Sequence, residues 1–104
     1  MNGYQITFFT QQGHRIHGQP VGEWLIGMAK QMGLHGATLM AAAEGLGRSG
    51  KIHAAHFFEL TEQPIEVVTI VTTEEADRLF ARLQSEKLNI FYVKAPVEFG
   101  VLGG

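Results

Sequence analysis

The sequence predicts an α+β fold of four antiparallel strands with two helices on one face, in the order βαββαβ. Two stretches carry apolar residues at helical spacing, and four are rich in β-branched, aromatic or small apolar residues. The two kinds follow one another as strand, helix, strand, loop, strand, helix, strand. At 104 residues the chain has the commonest size of a single domain, so residues 1–104 are read as one unit.

Tyr4 to Phe9 alternates apolar and polar up to its last residue and reads as the first strand. Gln11 to Gln19 is polar, holds Gly13, His14, His17 and Gly18, and reads as a loop. A helix begins at Pro20, whose fixed φ suits a first turn. Val21, Trp24, Leu25, Met28, Ala29 and Met32 form its apolar stripe, and Gly33 stands where a C-terminal cap belongs. Ala37 to Ala43 is short and follows Gly36 closely, which favours a strand over a second helix.

Glu44 to Lys51 is a glycine-rich loop with two cations, and Ile52 to Leu60 has β-prone residues near its end. Pro64 breaks the chain, and Ile65 to Val71 is the strongest strand. Thr72 with Glu75 makes a capping box, after which Ala76, Leu79, Phe80 and Leu83 carry a second helix to about Lys87. Leu88 to Lys94 reads as the last strand, and Pro96 onward as a loosely held tail. This order is the split βαβ, or ferredoxin-like, arrangement.

Composition narrows the function classes. The formal net charge of −2 argues against nucleic-acid binding, which needs a basic face. No apolar run is long enough to span a membrane and no signal peptide is recognisable. Zero cysteines exclude disulfides and thiol chemistry, which fits a cytoplasmic protein. Apolar residues make up 45% and charged residues only 17%, so part of the surface is expected to be covered by a partner. The strands say which part. Leu39 and Met40, Val67 and Val68, Ile70 and Val71, and the run Ile90 to Val93 are adjacent residues that must point to opposite faces. One member of each pair lands on the face the helices leave bare. Covering a Val, Leu or Phe there contributes about 1.5–3 kcal/mol per side chain, enough for a few of them to drive self-association.

Gly45-Leu46-Gly47-Arg48-Ser49-Gly50-Lys51 is the one segment with anion-binding chemistry: glycines let backbone N–H groups turn toward a ligand, and Arg48 and Lys51 add charge. It is neither a Walker loop nor a dinucleotide fingerprint. A hydrated hairpin loop explains the bare pattern equally well.

Together with Met32-Gly33-Leu34-His35-Gly36-Ala37-Thr38 ahead of it, this segment resembles the PII signalling superfamily. There a helix ends in glycine, Gly-x-Thr opens the second strand, and Gly-aromatic-Gly-Arg begins the long T-loop. The nearer resemblance is to the uncharacterised PII-like family known as domain of unknown function 190. Its Gly-x-Pro helix start, Gly-Leu-x-Gly-Ala-Thr turn, Gly-x-Gly element and following Ile-His correspond to Gly18-Gln19-Pro20, Gly33 to Thr38, Gly45-Leu46-Gly47 and Ile52-His53. The likeness runs from about Tyr4 to Val93. It implies a homotrimer with its sheets turned inward and an adenine nucleotide or other small metabolite in the clefts between subunits. It also implies a T-loop, here 45–64, that touches a protein partner. Thr38, Gly45, Gly47, Arg48 and Ser49 are the residues it assigns to the ligand, and Lys51 joins them through its charge in the glycine loop. The sequence departs from the PII pattern in three places. Thr38 stands one residue further from Gly45. Ser85 to Asn89 is short and lacks glycine where PII proteins have a cationic, glycine-rich loop. Val97 to Gly104 carries no cation. These departures favour a smaller or less charged ligand, such as a nucleoside monophosphate or an anion, over ATP.

Five histidines raise a metal alternative. His14 and His17 share a loop and could meet an acid such as Glu44 or Glu59 in a zinc- or copper-like site, while ordinary hydrogen-bonded histidines are the simpler reading. His53 and His56 would point apart on a strand. No nucleophile and base stand in a recognisable catalytic context, so no enzymatic activity is expected, and a trimeric scaffold without a small ligand is the plainest alternative.

Overall fold

The computed structural model describes residues 1–41, 44–46, 52–54 and 63–103, with the backbone alone for 44–46 and 52–54. The strands are β1 (Asn2–Gln11), β2 (Arg15–Ile16), β3 (Gln19–Pro20), β4 (Ala37–Ala41), β5 (Glu44–Leu46), β6 (Ile52–Ala54), β7 (Pro64–Thr72) and β8 (Phe91–Glu98). Helix α1 (Val21–Gln31) lies between β3 and β4, and α2 (Thr73–Ser85) between β7 and β8. The main sheet runs β4-β7-β1-β8, antiparallel at every pairing, which is the ferredoxin-like order.

Both helices form where their stripes and caps predict. Val21, Trp24, Leu25, Met28 and Ala29 are buried along α1, Met32 is its C-cap, and Gly33 follows with φ +71°. In α2 the Glu75 backbone N–H donates to Thr72 Oγ1 at 3.2 Å and the Thr72 N–H donates to Glu75 Oε1 at 2.8 Å. The buried faces of α1 and α2 meet Ile6, Phe8, Ile65, Val67 and Val71 in one core. Gly22 lets α1 settle on the sheet, since a Cβ there would fall 2.8 Å from the Leu39 side chain.

The strand boundaries and connections differ from expectation in several places. β1 is longer at both ends because it has a partner on each side: β7 covers it from Gly3 to Gln11 and β8 from Asn2 to Phe9. Pro64 does not interrupt the strand but opens β7, opposite Gln11. The last strand is shifted toward the C-terminus. Leu88 and Ile90 pack against the core from the α2–β8 connection, while Pro96 pairs with Tyr4 inside β8. Pro96 is tolerated because β8 is an edge strand, so its missing N–H costs no ladder bond. The expected loose tail is tied as well: the Phe99 N–H donates to the Met1 carbonyl at 2.8 Å and the Met1 ammonium to the Phe99 carbonyl at 2.7 Å. Finally, the polar stretch after β1 contains the β2–β3 hairpin, and Glu44–Leu46 pairs with Ile52–Ala54 as a two-stranded ribbon rather than a continuous loop.

Candidate functional site

The register decides which side chains face away from the helices. Residues opposite one another in adjacent strands share a face. Thr38, Val68, Thr7 and Val93 therefore form one row across the bare side, and Met40, Glu66, Phe9 and Phe91 the next. Their adjacent partners Leu39, Val67, Phe8 and Tyr92 face the helices, so the doubling of apolar residues divides between two faces as expected. The bare side is exposed and greasy: Met40 is 44% accessible, Val93 47% and Phe91 54%, with Phe9 and Ile70 close behind. The Phe9 and Phe91 rings lie 5.7 Å apart.

Thr38 sits at the rim of this face, exposed on edge strand β4. The turn that delivers it is pinned from beneath. Thr69, the buried polar residue of β7, donates from Oγ1 to the Gly36 carbonyl at 2.6 Å, two residues before Thr38. Gly45 lies in the β5–β6 ribbon, opposite His53. Gly47, Arg48, Ser49 and Lys51 lie outside the described residues, as do His56 and most of the 45–64 segment.

His14, just before the β2–β3 hairpin, and His17 within it go to different partners. His14 Nδ1 and Thr10 Oγ1 are hydrogen-bond partners at 3.0 Å. His17, at the hairpin tip with φ +50°, contacts Glu86 at the C-terminal end of α2. Glu86 also receives Arg82, whose guanidinium lies 5.7 Å from the centre of the Trp24 ring. Hydrogen bonding to His17, then to Arg82, holds the Glu86 carboxyl below its ordinary range. Among the described residues no three His, Cys, Asp or Glu side chains gather as a metal group. Glu59 and the Glu44 side chain fall outside them. No helix among the described residues is long and apolar enough to cross a membrane.

Three features escaped the reading of the sequence. The place of Glu66 on the bare face was legible in principle, because it shares parity with Val68 and Ile70. Thr69 could likewise have been found as the hydroxyl in register with Val67 and Val71. The His17–Glu86 contact joins residues 69 positions apart, and no local pattern announces it.

The family model for DUF190, described as an uncharacterised ACR, matches residues 3–98. A UPF0166 protein from Aquifex aeolicus (strain VF5) is 32% identical over 75 residues, covering 72% of this chain and 71% of that one. Among solved structures, the chain is similar to CPII, a nitrogen regulatory PII-like protein from Thiomonas intermedia K12, bound to ADP, AMP and bicarbonate. That likeness has a TM-score of 0.70 at 16% identity, covering 97% of this chain and 91% of that one. It is also similar to a putative PII-like signaling protein from Thermus thermophilus, with a TM-score of 0.68 at 22% identity over 93% of this chain and 88% of that one. At these identities the likeness shows a shared fold.

Proposed function

The chain belongs to the DUF190 family, and from that premise we propose that it is a PII-like regulatory protein of the cytoplasm. Three or more spaced motifs, a full-length fold match and a bare apolar sheet support a homotrimer with its sheets turned inward. Thr38, Gly45, Gly47, Arg48, Ser49 and Lys51 would line the cleft between neighbouring copies, and segment 45–64 would carry occupancy to a protein partner. The protein acts by binding, without catalysis.

The single observation that carries this reading is the likeness over 97% of the chain to a PII-like protein solved with ADP, AMP and bicarbonate. The ligand follows from the chain's own residues. The α2–β8 connection holds one lysine, Lys87, and no glycine, which suits a nucleoside monophosphate or a small anion better than a triphosphate. Isothermal titration with ATP, ADP, AMP, cyclic AMP and bicarbonate tests this. AMP or ADP is expected to bind more tightly than ATP, with Thr38→Val weakening the response. Silence across the whole set would remove the nucleotide reading.

A further inference from the structure

The charges of the described chain are distributed unevenly. Glu23, Lys30, Glu74, Asp77, Arg78 and Arg82 ride on the outer sides of the helices, and Lys94 and Glu98 of β8 have the parity of the helix-covered side, whereas the bare face has one charged side chain among the described residues, Glu66. It is half-buried near one end of inner strand β7, with Met40 beside it on β4, Phe9 on β1 and Phe91 one strand further. On its own strand the same face offers Pro64 and Val68. The remaining polar groups there are Thr38, Thr7, Gln5, Gln11 and Thr72. None of these neighbours titrates, and none brings a positive charge.

Such a face offers a charged partner nothing to read, but it suits a second copy of itself: apolar, free of repulsion except at one point. At that point covering the face takes the Glu66 carboxylate out of water, with no cation opposite it among the described residues of that face. That desolvation penalises the charged form. We infer that Glu66 makes self-association through this face proton-coupled, each carboxylate taking up a proton from solvent as the sheet is covered. This rests on the reading of the protein as a homo-oligomer closed over the bare sheet. The sign follows directly. Association binds protons, so it strengthens as pH falls and weakens as pH rises, by up to about tenfold per pH unit for each Glu66 that is protonated on assembly.

Sedimentation velocity of the full chain across a concentration series, at about pH 5 and about pH 8, tests the inference with E66Q and E66A beside the wild type. The wild type is expected to dissociate at lower dilution at the higher pH. Both variants are expected to stay assembled at both, at least about tenfold tighter than wild type at the higher pH. Equal pH dependence in wild type and variants would overturn the role of Glu66 and leave the oligomer standing. A monomer in every sample would overturn the homo-oligomer itself, and this inference with it.

Discussion

Two glycines show how differently one residue type acts at two places. A Cβ on Gly3 would fall 1.9 Å from the Val71 carbonyl oxygen and 3.0 Å from the Phe99 ring, so β1 and β7 close on a position where only hydrogen fits. Gly3→Ala is expected to destabilise by about 1–3 kcal/mol or more, read as a lower melting temperature. Gly27, in the middle of α1, has nothing within 4 Å of its Cβ direction. Gly27→Ala should gain about 0.5–1 kcal/mol, because alanine loses less backbone entropy in a helix. An unchanged melting temperature in Gly3→Ala, or a fall in Gly27→Ala, would overturn this contrast. Thr69 belongs to the same scale. Its hydroxyl uses the core side of β7 to hold the Gly36 carbonyl, so the turn before Thr38 is set by a buried residue far from it in sequence.

At the scale of elements, α2 is held at both ends by side chains. Its first turn closes through Thr72 and Glu75, and Thr72→Ala is expected to cost about 1 kcal/mol in thermal or denaturant unfolding. Its last turn is tied to the β2–β3 hairpin through Arg82, Glu86 and His17. Glu86 titrates below its ordinary value because His17, first, and Arg82 stabilise its charge. A carboxyl lowered in the folded state contributes stability that is present above its unfolded value and lost as pH falls through the folded one. Acid unfolding followed by the fluorescence of Trp24, the chain's single tryptophan, should therefore begin at higher pH in Glu86→Gln. Coincident acid limbs would show that the contact adds nothing. Trp24 suits the measurement, because its ring lies 6.1 Å from that of His17.

For the whole molecule, the governing fact is a sheet clad by helices on one side and apolar on the other. Val93 ends the exposed row on edge strand β8, where it contributes little to the monomer's core. Val93→Lys is expected to leave the melting of the isolated chain nearly unchanged while weakening self-association at least about a hundredfold, measured by light scattering at micromolar concentration. Unaltered association would place the interface elsewhere. The same two-sidedness positions Thr38, which lies on the bare side at the sheet's edge, where a covering copy would turn the rim into a cleft.

Much of this was legible in the residues themselves. The stripes from Val21 to Met32 and from Ala76 to Leu83, the capping box, and the side-by-side apolar pairs are local patterns whose spacing alone says what must be buried. The strand ends were not legible, because a strand extends as far as its neighbour supplies bonds. Pairing with β1 carries β8 on through Pro96 to Glu98, and the sheet edge makes that proline harmless. The pinning of Gly36 by Thr69 and the meeting of His17 with Glu86 arise only when distant segments are brought together. Sequence determined which residues need cover; packing decided where each strand stops and which polar groups meet.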